Sequence, residues 1–245
     1  VEFRRASMEE AIGALEQAGV LRSDLRLAWS FTVASSRSIS ERMLHIRDDA
    51  LAQLGDAAPA FQITSIEQNT DDNIALKVTG TYEVPNYLTN DGSPGNRFHY
   101  DADTATDPDA LPSVNGTMQV AFQCNVSVAT MNGSEPAHLV EYGHGLLGSY
   151  DEVEAGNLRA FADEHNAVVC ATKWAGFSED DVPNAITTLG EFGNFPTMAD
   201  RMQQGVLNQI FLGRLMIRDG GLNSMAEMKR ADGGQLLDTA HLDYY

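Results

Sequence analysis

The polar and apolar positions of the chain follow two periods, and where each holds it predicts a helix or a strand. From Ser7 to Ala18, Met8, Ala11, Ile12 and Leu15 share one helical face, Glu9 and Glu10 occupy the first turn, and Gly19 is the stop. Arg26–Val33 carries the β formers Leu27, Trp29, Phe31 and Val33 at every second position, which predicts a strand with one buried face. Ser38 with Glu41 reads as a capping box for a helix in which Ile39, Met43, Ile46, Ala50 and Leu54 recur until Gly55. After Pro59, Phe61–Ile66 and Ile74–Val84 read as strands, and the turn formers at 69–73 predict that they make a hairpin.

Between 85 and 117 the periodicity stops. Four prolines, several glycines and the carboxylates Asp101, Asp103, Asp107 and Asp109 predict a long surface loop. Met118–Val128 then reads as a strand, Asn132-Gly133 as a turn, His138–Tyr142 as a short buried strand, Val153–Glu164 as a helix and Ala167–Thr172 as the next strand. A long helix follows over Met198–Met216, with Met202, Val206, Ile210 and Leu215 spaced for burial. Strand, helix and strand in alternation predict a parallel sheet, so the reading is α/β: an N-terminal α+β elaboration over 1–115 and an α/β core over 116–245, joined near 115–135. Residues 1–115 carry no motif with a mechanism; a propeptide-like extension, a lid and additional strands continuing the sheet all fit them.

Charge narrows the partners. Sixteen Lys and Arg against 35 Asp and Glu give a net charge of −19, spread along the chain. Nucleic acid and anionic membranes would be repelled, and a solvated acidic surface is the plain reading. No apolar stretch is long enough to span a bilayer. The sequence opens at Val1 without a Met, so either a signal peptide has been removed or the chain has been trimmed; both set the expectation of a start further upstream, and the first that of a secreted or periplasmic protein. Cys124 and Cys170 lie in apolar strand-like runs, where a free buried thiol is the commoner state and a disulfide is the alternative under export.

The four aspartates of the loop are weak candidates for holding Ca²⁺, because their spacing lacks the glycine and closing glutamate of an EF-hand loop. No cofactor is expected. The segment that carries chemistry is Tyr142-Gly143-His144-Gly145-Leu146-Leu147-Gly148-Ser149, directly after a buried strand and directly before a helix. Acyl transfer through a serine builds negative charge on a carbonyl oxygen, and backbone N–H groups aimed at that oxygen supply much of the stabilisation. Glycines let backbone approach that closely.

These residues resemble the loop of bacterial lipases and esterases of the α/β-hydrolase family, which carries a His-Gly-apolar signature after its third strand. The resemblance covers about 136–245 and implies the first half of an α/β-hydrolase sheet, mostly parallel with helices on both faces. By it, His144, Gly145 and Leu146 form the oxyanion hole, with the Leu146 N–H as donor. Cys170–Ser178 is similar to the fourth strand and the loop leaving it, so that Trp174 and Phe177 line the substrate pocket. The same glycines also match G-x-G-x-x-G, but a dinucleotide site wants a carboxylate at the end of the next strand, and Lys173-Trp174-Ala175-Gly176 offers none before Glu179.

No Gly-x-Ser-x-Gly elbow occurs in the chain, and the family's order places serine, acid and histidine in succession after it. Asp238–Tyr245 reads as the lead-in to the fifth strand, so the sequence ends where the nucleophile should begin. The resemblance therefore implies a serine hydrolase acting on a small-molecule or lipid carboxylic ester. This chain would supply the oxyanion loop, while no catalytic residue lies within it and a following segment or a second polypeptide carries the triad. A non-catalytic interaction protein with half the fold, and a nucleotide-binding domain built on 143–148, are the rival readings.

Overall fold

A computed structural model describes residues 2–29, 31–104, 107, 109–230 and 233–245. The chain divides into two compact units, Val1–Glu41 and Arg42–Tyr245.

The first unit holds helix α1 (Glu2–Gln17), which starts earlier than its apolar stripe, and ends where Gly19 takes a φ of 89°. Arg22 pairs with Glu9 at 2.6 Å on the surface. Among the described residues from 5 to 41 none is buried, and the strand expected over Arg26–Val33 does not form among its described residues. Leu27, Trp29, Phe31 and Val33 are exposed instead. Alternation marks a strand only when a neighbouring edge accepts its backbone hydrogen bonds, and among the described residues none does here. Helix α2 (Ser36–Leu54) begins two residues before the expected box: Ser35 Oγ accepts from the Ser38 N–H, so Ser35 is the cap.

In the second unit, strands β1 (Phe61–Gln68), β2 (Ile74–Pro85), β3 (Thr117–Ser127), β4 (Ala137–Tyr142), β5 (Ala167–Thr172) and β6 (Leu237–Tyr244) form one sheet in the order β1-β2-β3-β5-β4-β6. The fold is α/β. β5, β4 and β6 run parallel, and β3, β2 and β1 extend the sheet antiparallel. The hairpin of residues 61–85 thus continues the sheet, the third of the roles open to it from sequence. Helices cover both faces. On one, the C-terminal part of α2 (Ile46, Ala50) and α6 (Pro196–Ile217; Leu207, Phe211, Leu212, Leu215) pack on Val78, Tyr82, Phe122, Leu139 and Val168. On the other, α4 (Gly156–Glu164) packs Phe161 and Ala162 on Val140 and Val169, next to the short helix α3 (Val128–Asn132) that precedes β4.

Two details of the core differ from the pattern read in sequence. The buried stripe of α6 runs through Gln204, Leu207, Asn208, Phe211 and Leu215, while Met202, Val206 and Ile210 are half-buried. Its polar members explain the shift: Gln204 Oε1 accepts from the Tyr87 N–H at 2.9 Å, its Nε2 donates to Pro85 O, and Tyr82 Oη donates to Asn208 O. The Tyr87 bond anchors the start of the long loop, and Tyr87, Leu88 and Phe98 are buried in the core, so the described part of 86–116 is more than a surface elaboration. Second, Cys124 and Cys170 are not free thiols. They face each other across the antiparallel β3–β5 pair with Cα atoms 4.0 Å apart and form a disulfide, both fully buried.

Among the described residues no helix is long and apolar enough to cross a membrane.

Candidate active site at the glycine loop

Strand β4 delivers the chain to the carboxyl end of the parallel strands, where crevices in α/β sheets bind ligands. The loop that follows is tightly tied. Leu147 N–H donates to Phe177 O at 2.8 Å, Glu179 N–H to Gly148 O at 2.9 Å, and Gly148 N–H closes a turn on Gly145 O at 3.0 Å. Leu147 takes a φ of 56°, a left-handed conformation that costs a branched residue about 1–2 kcal/mol. At Gly143 a side chain would meet the Tyr244 phenol on the neighbouring strand, so a larger residue there would push that exposed ring aside.

His144 is buried and acts as a fastener. Its Nε2 accepts from the Trp174 N–H at 2.9 Å, which assigns the ring proton to Nδ1, 2.8 Å from Gly145 O. One imidazole thereby locks the loop after β4 to the loop after β5. The Gly145 N–H points at Glu152 Oε2 at 3.4 Å, and that carboxylate also accepts from Tyr142 Oη at 3.0 Å. Leu146 is 71 % exposed, and its N–H has no acceptor among the described residues. Of the three loop residues, His144 and Leu146 have backbone N–H groups with no acceptor among the described residues, and of the two only Leu146 is exposed.

The same geometry bears on the rival reading of a nucleotide-binding domain, whose glycines would cradle a phosphate at 143–148. The loop runs into a 3-10 turn at Tyr150–Glu154 and α4 starts only at Gly156, so no long helix opens at the glycines. A carboxylate from Glu152 already sits against the loop's glycines, where it opposes a bound phosphate.

Trp174 and Phe177 are half-buried, with ring centroids 5.7 Å apart. The indole lies on α6 at Gly205, where any side chain would strike it. A cavity of about 280 Å³ opens beside them, between the start of β3 and the end of β5, but neither ring lines it. Its polar wall comes from Tyr150, Lys173, Ser178, Asp180, Arg201 and Asn208, which the sequence reading did not single out. Lys173 Nζ lies 3.0 Å from both Glu179 and Asp180; partial burial works against its charge, but these carboxylates outweigh that and hold its pKa above the usual lysine value. Arg201 Nε donates to the fully buried Asp181 at 2.7 Å and its guanidinium also reaches Gly92 O. These pairs join groups 20 or more residues apart, or across a turn with no motif, so no local signal reveals them.

Under the loop lies a third set that the sequence reading passed over. Glu141 points from β4 toward Gly213 of α6, buried, with Oε1 unpartnered, and burial pushes its carboxyl up to about 8. One turn earlier on α6, Gln209 is buried with neither amide atom bonded. The strand's period of two was the available signal, since Glu141 shares a face with the core residues Ala137 and Leu139.

The four loop aspartates are exposed, and Asp107 Oδ1 accepts from the Asp109 N–H at 2.9 Å. Among the described residues no group of three His, Cys, Asp or Glu side chains is placed to hold a metal.

No protein-family model matches the chain, and no curated protein does. Among solved structures, the chain is similar to a "putative acetyl xylan esterase" of Bacteroides fragilis, at 9 % identity and a TM-score of 0.37. The match covers 79 % of this chain and 48 % of that one, so the chain spans about half the length of that protein. At that distance the likeness carries no argument about chemistry, which has to come from the residues.

Proposed function

We propose that the chain is the oxyanion-loop part of a carboxylic-ester hydrolase working through a serine acyl-enzyme. The observation that carries this reading is the free Leu146 N–H, held at the carboxyl end of β4 in a loop braced by His144 and by Leu147 in a left-handed conformation. A donor fixed before reaction stabilises a developing oxyanion without reorganisation. The nucleophile, acid and histidine come from a following segment or a partner chain bearing Gly-x-Ser-x-Gly, and the substrate is a small-molecule or lipid ester. The disulfide supports an oxidising, exported setting.

The test uses the assembly of this chain with its nucleophile-bearing segment, identified by intact mass under denaturing conditions, and p-nitrophenyl acetate as substrate. Leu146 is the first central residue of the turn closed by Gly148, with φ outside the positive region, a position where proline fits. Leu146→Pro therefore deletes the N–H and little else. Its expected effect is a loss of about 10²–10³ in kcat with KM little changed. An unchanged kcat, or an assembly that contains the serine segment and hydrolyses no ester, ends this reading.

A further inference from the structure

The cavity beside β5 is lined by hydrogen-bonding groups that the fold leaves unused. β3 runs on past the end of β5, from Thr117 to Ala121, so among the described residues one backbone edge of β3 has no strand beside it there. Thr172 Oγ1 donates to Ala121 O at 2.6 Å, which places the Ala121 carbonyl on that edge. Backbone groups alternate sides along a strand, so the Gln119 N–H and carbonyl lie on the same edge, where Gln119 lines the cavity. Asn208 and Arg201 of α6 line it too, and both are deeply buried, at 1 % and 7 % exposure. Asn208 Oδ1 accepts from Gln204 Nε2, while its Nδ2 has no acceptor among the described residues. Arg201 gives Nε to Asp181 and Nη1 to Gly92 O, and its Nη2 is likewise left without one. Buried donors of this kind call for an acceptor.

Charge decides which kind. The cations of the wall are already matched, Lys173 by Glu179 and Asp180 and Arg201 by Asp181, two cations against three carboxylates. An anion would enter against that excess and against the net −19 of the chain. An ammonium group finds no idle carboxylate either, because Asp180 turns both oxygens to Lys173. What remains is neutral in its demand: side-chain donors and a backbone N–H for an oxygen, and the Gln119 carbonyl for an N–H. A carboxamide offers both from one planar unit. At about 280 Å³ the cavity has the size of the smaller ligand pockets, and Val120, Ala121 and Ala175 supply its apolar part.

We propose that the cavity between the start of β3 and the end of β5 binds a small neutral carboxamide, whose oxygen takes the Asn208 and Arg201 donors and whose N–H meets the open β3 edge at Gln119. The proposal is independent of the chemistry assigned to the glycine loop, because binding needs no nucleophile. It also stands apart from a segment continuing after β6, since β4 and β5 lie between that strand and β3.

Titration of the isotope-labelled full chain with pentanamide, followed by NMR, tests it. Methyl butanoate and pentanoate are probes of the same size, of which the first lacks the N–H and the second adds a charge. Pentanamide is expected to saturate a site whose shifts centre on the Gln119 backbone amide and the Asn208 side-chain amide, and to bind about tenfold more tightly than either analogue. Asn208→Asp keeps the acceptor that Gln204 uses and removes the donor, and is expected to weaken pentanamide about tenfold. Should that variant fail to fold, the mapping on the wild-type chain decides alone. No saturable shift, shifts that centre elsewhere, an ester or carboxylate that binds as tightly as the amide, or a folded Asn208→Asp chain of unchanged affinity overturns the proposal. So does loss of binding when a serine-bearing partner chain joins, which assigns the cavity to that partner.

Discussion

Residues 26–33 and strand β5 are both short runs of apolar β formers. β5 is buried at all six positions, hydrogen-bonded to β3 on one side and β4 on the other. The earlier run leaves Leu27, Trp29, Phe31 and Val33 in solvent, in a unit of 41 residues with no buried residue among those described from 5 to 41. The difference lies in what surrounds each run. A strand is stable when both backbone edges and at least one face find partners, and side-chain propensity only adds to that. Units of about 40 residues rarely enclose a core without a disulfide, metal or partner, and the disulfide of this chain lies in the other unit.

The contrast predicts a graded set of responses. Phe211→Ala, which empties the centre of the core under β5, should cost about 3–5 kcal/mol in denaturant unfolding. A smaller loss would mean that the larger unit is packed as loosely as the smaller. Replacing Cys124 and Cys170 by alanine opens a loop of 46 residues and should cost about 2–4 kcal/mol. Non-coincident unfolding by near- and far-ultraviolet dichroism in that variant would show that the two halves of the sheet come apart.

Glu141 supplies a slope in place of a step. Its folded pKa is raised from 4.5 to about 8, so between those values the folded chain holds a proton that the unfolded chain has released. Stability from this group is present in full below pH 4.5 and is lost as pH rises through 8, by about 1.4 kcal/mol per unit at most. Glu141→Gln should flatten that dependence and leave the variant the more stable of the two at pH 8. An unaltered pH profile would mean that the carboxyl finds solvent. The smallest effect belongs to the other region: Trp29→Ala should change stability by less than about 0.5 kcal/mol, and a loss above 2 would show that residues 26–33 are covered after all.

What the sequence made legible follows the same division. Elements whose pattern is local and whose partners lie in register, such as the hairpin of β1 and β2, the strands β3, β4 and β5, and the helix from Ser36 on, sit within a few residues of where periodicity places them. The α/β class follows from their alternation. Features that depend on a distant partner stayed hidden. The Cys124–Cys170 bond depends on the register of β3 against β5. The Asp181–Arg201 pair depends on how α6 returns over the sheet. Helix α5 (Val182–Gly190) was not foreseen, because Pro183, two threonines and a terminal glycine weaken its nine-residue signal, and its inverted burial, with Ile186 and Leu189 exposed and Thr188 buried, contradicts the rule by which such helices are recognised. The glycine loop was visible as letters, while the bond from Trp174 N–H to His144 and the carboxylate of Glu152 against the glycines were not.

The disulfide also changes the chain as a covalent object. Because it joins residues 124 and 170, everything between them, including β4, the glycine loop and α4, belongs to a closed ring. A protease that nicks the exposed bond between Gly145 and Leu146 therefore cuts a circle, and the two pieces remain one molecule. On an electrophoresis gel such a nick is invisible until a thiol reductant is added, when the single band resolves into two.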